Sequence, residues 1–289
     1  MTLNRMMVGL FVALSGCVHQ RAAPPLGPPK FVVGDGYQSQ EEWRYPRAFA
    51  NYDVTGLATV ITAHAAPYTA NNETYDPDAL AAASPVLQLP AIVTVTNLEN
   101  GESMDVRVNE RGPDDPGRVL AVTPKVASLL GFPSSGPVEV EVVLNSQQTA
   151  ALDATLGQGP KMTAAPEAGI VAQSLGPPGA AGGGVTQNLT PQDTATAATD
   201  PGQLSGRVTV GNPEPGPLFV QIPGFGRAYD AHRVMNQLGG LPARTVPVFG
   251  GDRTLYAVRI GPYENVSDAD AALQQVLQDG VAGPEIIVR

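Results

Sequence analysis

A glutamate in the stretch "TANNETYD", residues 69–76, is the first candidate for chemistry in this chain. A single carboxyl group can act as a general acid if it stays protonated near neutral pH, which needs a partly apolar pocket that raises its pKa. Tyr68 and Tyr75 lie close to Glu73 in the sequence, and acidic surroundings would raise its pKa further. Taken alone, a glutamate in such a turn is more often an ordinary surface carboxylate. Both interpretations stay open at this point.

Other kinds of active site find little support in the sequence. The formal charge of -10 argues against a nucleic-acid partner and against electrostatic docking on an anionic membrane. The three histidines, His19, His64 and His232, are scattered, so we expect no metal-ligand cluster. The chain also lacks a nucleophile elbow and a dinucleotide-binding fingerprint. We expect His64 to be an exposed loop residue rather than a functional one.

The N-terminus has the pattern of an export signal. A short polar, positive start is followed by the apolar residues 6–14, which are too few to span a bilayer. The next residues, "LSGC", resemble the bacterial lipobox and end at Cys17, the single cysteine of the chain. We therefore predict a signal peptide over residues 1–16, lipid attachment at Cys17 and a Pro-rich tether over residues 17–30. Val18 after the cysteine suggests the outer membrane, facing the periplasm.

A first globular block is predicted over residues 31–145. Alternating apolar and polar residues predict strands at 91–98 and 103–110, and the intervening "ENG" predicts a hairpin. A further strand is predicted over 137–144. A short helix is predicted over 123–132, because threonine and proline stand at its start and glycine near its end. Short strands with one or two small helices indicate a compact β-barrel.

Two different kinds of sequence follow this block. Residues 146–213 contain no Phe, Tyr or Trp and are rich in Ala, Gly, Pro, Thr, Gln and Ser. Such a segment cannot bury enough apolar surface to fold, so we expect a disordered linker. Residues 214–289 show strands and helices in the order β-α-β-β-α-β, which is the ferredoxin-like arrangement. The expected fold class is therefore mainly β, followed by α+β.

The block over residues 214–289 resembles the SPOR domain, a module that binds peptidoglycan glycan strands stripped of their stem peptides. The resemblance lies in "VQIPGF" and "YAVRIGPY", with Pro223 where the usual pattern has glycine. It implies a sheet face that presents aromatic and amide groups to sugar rings. The candidate glycan-binding residues are Gln221, Phe225, Arg259 and Tyr263. The two aromatic candidates could equally be core residues.

The first block is similar to the double-psi β-barrel of the rare lipoprotein A (RlpA) family of septal lytic transglycosylases. "TANNETYD" resembles the family's T-A-N-G-E-x-Y-D, and "VRVNERGP" resembles its V-R-V-N-D-R-G-P. "VTNLENG" matches closely, and "LLG" in the helix and "VEVEVV" near the end of the block also fit. Together with the lipobox, the linker and the SPOR-like block, the resemblance covers nearly the whole chain.

The resemblance implies a reaction in which a bond between N-acetylmuramic acid and N-acetylglucosamine is cleaved without water. The C6 hydroxyl of the muramic sugar attacks, and the product is a 1,6-anhydro sugar. One carboxyl group can protonate the leaving oxygen and then deprotonate that hydroxyl. The resemblance implies Glu73 and Glu110 as the catalytic residues. The supporting residues are Tyr75, Asp76, Ser84, Asn109 and Arg111, the last of which could hold Glu110 or a sugar carboxylate by two parallel hydrogen bonds.

Three positions depart from the family pattern. Ser84 stands where the family has histidine, Glu110 where it has aspartate, and Ala121 where it has a second aspartate. Serine can donate a hydrogen bond but cannot become a cation. The extra methylene of Glu110 moves its carboxylate, and a misplacement of about 1 Å can cost about a hundredfold in rate.

Two hypotheses follow from these observations. The preferred one is a lytic transglycosylase that acts on peptide-free glycan strands at the division site. The other is a catalytically weakened or inactive glycan-binding lipoprotein of the cell envelope. Both predict peptidoglycan as a partner and membrane attachment through Cys17, and both leave room for division-site proteins. Neither predicts a cofactor, a metal or a nucleic acid.

Overall fold

The computed structural model describes residues 27–40, 42–156, 203–250 and 253–289. The predicted signal peptide and the lipid attachment at Cys17 lie outside these residues. The described part begins within the predicted tether and reaches a short antiparallel hairpin made of β1 (Tyr37–Ser39) and β2 (Glu42–Arg44).

Six strands then form a closed barrel. They are β3 (Asp53–Val60), β4 (Ala81–Ala83), β5 (Ala91–Asn97), β6 (Glu102–Glu110), β7 (Arg118–Val122) and β8 (Val138–Leu144). Around the ring, β3 pairs with β7 and β8, β5 pairs with β8 and β6, and β4 pairs with β6 and β7. The β3–β7 and β4–β6 pairs are parallel, and the other four are antiparallel. The predicted barrel is confirmed.

The barrel interior follows from the alternation of its strands. In β8, Val138, Val140 and Val142 are buried, while Glu139 and Glu141 are only partly buried. Successive side chains of a strand point to opposite faces, so this alternation puts the valines into the core and the glutamates outside. The buried valines pack in one cluster with apolar residues of the other barrel strands.

The predicted helix and hairpin of this block are also present. Helix α1 (Pro124–Leu129) starts after Thr123, whose side chain accepts a hydrogen bond from the Val126 amide, as expected of an N-cap. The hairpin between β5 and β6 turns at Gly101, whose φ of +79° lies in the region that favours glycine.

The linker prediction is wrong at both ends. Residues 146–155 form helix α2 (Ser146–Thr155), and β9 (Thr209–Val210) pairs with β6. The helix is held because Leu152 is buried and the Thr149 hydroxyl accepts a hydrogen bond from the Ile92 amide at 2.9 Å. Residues 157–202 lie outside the described residues.

The second block has the predicted order of elements. They are β10 (Leu218–Phe225), α3 (Ala228–Gln237), β11 (Ala243–Gly250), β12 (Arg253–Tyr263), α4 (Val266–Gln278) and β13 (Glu285–Val288). The strands form an antiparallel sheet in the order β11-β12-β10-β13, which is the ferredoxin-like order. In the part of the chain that the structure describes, no helix is long and apolar enough to cross a membrane.

The second block also contacts the barrel. Arg118 of β7 donates two hydrogen bonds of 2.8 Å to the carboxylate of Asp270 in α4. Leu57 of β3 and Leu98, which follows β5, are buried in the same apolar cluster as the core of the second block. Apolar packing therefore joins the two blocks beside the ion pair.

Candidate active site

The stretch that contains Glu73 folds back on itself as a small hairpin. Tyr68 pairs with Thr74, and the Tyr75 amide donates to the Pro67 carbonyl at 3.0 Å. Asn72 stands at the turn with φ of +70°, a conformation that asparagine tolerates better than most residues. The segment can turn here because position 72 is an asparagine, which adopts this positive φ at low cost. We call residues 67–75 the Glu73 hairpin.

The carboxylate of Glu73 is held by three side chains. Arg107 donates from Nε at 3.1 Å and also from its terminal nitrogen, and Asn109 donates at 2.9 Å. These two residues stand two apart on β6, so the strand presents both on one face. From within the hairpin, Asn71 donates at 2.7 Å. The predicted supporting residue Asn109 is therefore in direct contact with Glu73.

The pKa of Glu73 moves in the direction opposite to the one the sequence suggested. Burial raises it, but hydrogen bonds from Arg107, Asn109 and Asn71 and the charge of Arg107 outweigh burial, so the pKa lies below its ordinary value. The expectation of an apolar pocket that keeps Glu73 protonated is wrong. The side chain is an ionised carboxylate at neutral pH.

A cavity of about 550 Å³ lies beside this carboxylate. Its lining residues are Pro29, Glu73, Arg107, Leu152, Thr155, Leu156 and Gln203. Pockets of about 300–1,000 Å³ commonly hold small-molecule ligands. Asp153 lies on α2, the helix that contributes Leu152 and Thr155 to this lining. Burial raises the pKa of Asp153 to about 6, and the charge of Arg107 lowers it in part.

The second candidate carboxylate, Glu110, lies at the end of β6. One oxygen accepts hydrogen bonds from the Ala70 amide at 3.2 Å and the Arg111 amide at 2.6 Å. The other oxygen is 2.7 Å from Nε2 of His64. The His64 side chain is 12% exposed, and its ring stacks on Tyr75 with the ring centres 4.1 Å apart. The expectation that His64 is an exposed loop residue is wrong.

Three of the predicted supporting residues have other tasks. Arg111 donates to the backbone carbonyls of Ser84, Leu87 and Val33 rather than to a carboxylate. The buried Ser84 hydroxyl accepts from the amides of Val86 and Leu87. Asp76 is exposed and accepts from the Asp78 amide. The hydrogen bonds of these three side chains go to backbone groups, so they stabilise the local backbone. Ala121, at the third departing position, is buried in β7.

In the second block, Gln221 and Arg259 lie together. Arg259 donates to the Gln221 side-chain oxygen at 2.8 Å, and the Gln221 amide donates to Glu285 at 3.1 Å. The guanidinium groups of Arg244 and Arg259 lie 5.4 Å and 5.6 Å from the ring centre of Phe219. Strand β10 presents Phe219 and Gln221 on one face, because they stand two residues apart.

The other two glycan-binding candidates face elsewhere. Phe225 and Tyr263 pack, partly buried, against the apolar cluster that includes the helices of the second block. Packing against the core is therefore observed for both, and their role in glycan binding stays a prediction.

Three residues were missed at the level of the sequence. Arg107 and Phe219 could have been found, since each stands two residues from a predicted site residue on the same strand. His64 could not, because its contact with Glu110 joins residues 46 apart along the chain. Among the residues described, no group of three His, Cys, Asp or Glu side chains could hold a metal ion.

Comparison with known proteins accounts for both blocks. The double-psi β-barrel family described as lytic transglycolase matches residues 54–142, and the SPOR domain matches residues 214–288. The protein named Endolytic peptidoglycan transglycosylase RlpA in Pseudomonas aeruginosa is 30% identical over 229 residues, which cover 76% of this chain and 66% of that protein. The chain belongs to the RlpA family.

Further RlpA proteins show how far the similarity extends. The protein of that name in Escherichia coli O157:H7 is 26% identical over 93% of this chain and 86% of its own length. The RlpA of Yersinia pestis is 32% identical, over 46% of this chain and 43% of that protein. The chain thus spans less than two thirds of the P. aeruginosa and Y. pestis proteins that it matches.

Proposed function

We propose that this RlpA-family chain is a lytic transglycosylase that cleaves the glycan of peptidoglycan and forms 1,6-anhydro ends. The observation that carries this proposal is Glu73, which lines the cavity and is held there by Arg107, Asn109 and Asn71. The names of the relatives support the same reaction. The preferred substrate is a glycan strand without stem peptides, and the SPOR-like block supports this choice by resemblance.

An ionised Glu73 suits a reaction in which it first acts as a base. Its carboxylate takes the proton of the C6 hydroxyl, the bond from O6 to C1 forms, and the bond from C1 to the leaving oxygen breaks. The protonated Glu73 then gives the same proton to the leaving oxygen. The C6 oxygen loses the proton that the leaving oxygen gains. Glu73 is therefore a carboxylate before and after each reaction cycle. Positioned proton transfer of this kind contributes about 10²–10⁴-fold to rates.

Glu110 would be a second carboxylate next to this site, joined to the Glu73 hairpin through the Ala70 amide. The transition state of glycosidic cleavage has oxocarbenium character, which a nearby negative charge stabilises. The amides of Ala70 and Arg111 fix one oxygen of Glu110, so its carboxylate is already oriented before the sugar binds.

Digestion of purified glycan tests the proposed reaction. The full chain, solubilised in detergent, is incubated with sacculi that an amidase has stripped of stem peptides, and the soluble products are analysed by mass spectrometry. We expect fragments with 1,6-anhydro ends, one water lighter than the products of hydrolysis, and less release from sacculi that keep their peptides. Release of hydrolysed ends alone would contradict a transglycosylase.

One observation favours a second function, glycan binding without cleavage. Arg107 pairs so closely with Glu73 that the carboxylate could accept hydrogen bonds from sugar hydroxyls without transferring a proton. The same digest separates the two functions, because a binding protein sediments with stripped sacculi but releases no soluble product.

We further propose that the protein is anchored in the outer membrane through a lipid on Cys17 and is enriched at the division site. The lipobox-like "LSGC" and the SPOR-like block support this location. A Cys17→Ala variant should lose fatty-acid labelling and leave the membrane fraction, whereas a Ser15→Ala control should keep both. Unchanged labelling of Cys17→Ala would overturn the anchor, and a diffuse envelope signal of the fluorescently tagged wild type would overturn the division-site location.

A further inference from the structure

His64 lies between two oxygen acceptors. Nε2 is 2.7 Å from a carboxylate oxygen of Glu110, and Nδ1 is 2.5 Å from the backbone carbonyl oxygen of Ala66. A neutral imidazole carries one N–H group, and the protonated ring carries two. Only the protonated ring can donate to both oxygens, so the neutral ring would leave one nitrogen lone pair facing an oxygen.

Both carboxylate oxygens of Glu110, the partner of His64, act as hydrogen-bond acceptors. Glu110 receives the Ala70 and Arg111 amides on one oxygen and faces His64 with the other. The side chains of His64 and Glu110 are 12% and 15% exposed, so water screens their attraction only in part. The contact is therefore an oriented ion pair rather than a loose surface contact.

This ion pair touches the Glu73 hairpin at two points. Glu110 accepts from the amide of Ala70 on the arm that precedes the turn. His64 stacks on the ring of Tyr75 on the arm that follows it, with the two planes 6° apart. Glu73 and Tyr75 stand two residues apart, a spacing of about 7 Å along an extended arm. The ion pair thus holds the hairpin on both sides of Glu73.

From this geometry we propose that His64, as a cation paired with Glu110, is a positioning residue that clamps the Glu73 hairpin and so fixes the Glu73 carboxylate against the sugar. The proposal rests on the proposed transglycosylase function and assigns a task to a residue outside the motifs of the sequence. His64 acts through Glu110 and Tyr75, which are the titratable groups in contact with its ring.

Kinetics of the full chain on peptide-free glycan test the clamp. His64→Phe keeps a ring that can stack on Tyr75 but removes both hydrogen bonds, and His64→Gln keeps a single donor. We expect His64→Phe to lower kcat by about tenfold to a hundredfold with KM changed less than threefold, because the reacting group is displaced by about 1 Å or less. His64→Gln should retain more activity than His64→Phe. His232→Phe is the matched control, since His232 is an exposed residue of α3.

Comparison of the two His64 variants separates hydrogen bonding from simple packing. His64→Gln keeps one donor and His64→Phe keeps none, so the two variants should differ in kcat with little difference in KM. An unchanged kcat in His64→Phe, or an equal kcat in the two variants, would overturn the clamp.

A readout that does not depend on activity distinguishes failure of the clamp from failure of the proposed function. The full chain with ¹⁵N-labelled histidine is examined by NMR near neutral pH, and the His64 signals are assigned by their loss in His64→Phe. Two protonated ring nitrogens in the wild type would support the clamp even if no glycan is cleaved. A neutral His64 ring in the wild type would overturn it even if cleavage is observed.

Discussion

The barrel and the second block each hold a carboxylate, an amide side chain and an arginine, but the order of contacts differs. In the barrel, Arg107 donates directly to Glu73. In the second block, Gln221 lies between Arg259 and Glu285, so the arginine reaches the carboxylate only through the amide. The same three kinds of side chain therefore make two different sites.

The difference moves the pKa values of the two carboxyl groups in opposite directions. Burial raises the pKa of Glu285, and the Gln221 hydrogen bond only partly lowers it. The pKa of Glu73 is held low because its three donors outweigh burial. A direct guanidinium contact keeps a carboxylate ionised and ready to take a proton. Where an amide lies in between, the arginine does not pair with the carboxylate and can bind another anion.

Arg244 and Arg259 form no ion pair with a carboxylate among the described residues, which suits these arginines to binding rather than to chemistry. Burial lowers the pKa of Arg259, and the neighbouring charges of Arg289 and Arg244 lower it further, so these cations repel one another. An anionic ligand would relieve that repulsion. A glycan strand that has lost its stem peptides carries free carboxylates on its muramic acid sugars, which makes it a suitable ligand for this face.

The largest effect that separates the two regions is expected from Glu73→Gln. The amide keeps the shape of the side chain but cannot take a proton, so release of anhydro products should fall at least about a hundredfold. Glu285→Gln is the matched control in the second block, and it should leave the rate per bound strand unchanged. Release that survives Glu73→Gln would make this glutamate a turn residue without a catalytic task.

A smaller effect is expected when Glu73 loses its direct contact with an arginine, a contact that Glu285 of the second block lacks. In Arg107→Met, Glu73 loses its direct cation, so burial prevails and its pKa should rise. The acidic limb of the pH–rate profile should then move to higher pH, and kcat at neutral pH should fall by about tenfold or somewhat more. Arg233→Met on the exposed side of α3 is the control.

The same change has a consequence for stability whose sign follows from the lowered pKa. A carboxyl group with a lowered pKa stabilises the fold above its ordinary pKa, and this stability is lost as the pH falls through the folded value. The acid-induced loss of stability should therefore be smaller in Arg107→Met than in the wild type. If the acidic limb of the pH–rate profile stayed in place in Arg107→Met, Arg107 would not be the residue that lowers the pKa of Glu73.

Binding should weaken when Arg244 and Arg259 of the second block lose their charge. We expect the double variant Arg244→Gln with Arg259→Gln to bind stripped sacculi about tenfold less tightly, a loss of about 1.4 kcal/mol. The release of anhydro products from short soluble strands should change little. Arg227→Gln is the control, because the Arg227 side chain is 84% exposed. Equal binding by the double variant would exclude this face as the glycan-binding surface.

The sequence predicted local structure well because its signals are local. The alternation of β8, the cap at Thr123 and the glycine of the β5–β6 turn are each decided within a few residues. Motif resemblance singled out both Glu73 and Asn109, which the structure places in direct contact. The linker boundary failed because Leu152 is buried by the barrel, which composition alone cannot show.

The charge of the site could not be predicted in the same way. The tyrosines near Glu73 in the sequence suggested an apolar pocket, but the donor that decides its pKa, Arg107, is 34 residues away along the chain. The partner of Glu110 is 46 residues away. Electrostatic properties depend on such contacts between distant segments, which form only when the barrel closes.

The smallest effect concerns the contact between the two regions, the ion pair of Arg118 and Asp270. Its two hydrogen bonds are well formed at 2.8 Å, but the Asp270 side chain is 37% exposed. Exposed pairs contribute about 0–1 kcal/mol, so Arg118→Ala should lower the free energy of unfolding by no more than about 1 kcal/mol. That corresponds to a change in the melting temperature of about 2–4 °C.

A double-mutant cycle with Asp270→Ala measures the contribution of the pair itself. We expect a coupling of a few tenths of a kcal/mol up to about 1 kcal/mol. Leu57→Ala, which removes a fully buried side chain between the blocks, should cost more, about 2–5 kcal/mol. If the ion pair instead proved the stronger of the two, the blocks would be held together by charge, and their contact would weaken with added salt. If the apolar contact dominates, as the burial of Leu57 implies, added salt should leave the contact unchanged. The barrel and the second block should then unfold together.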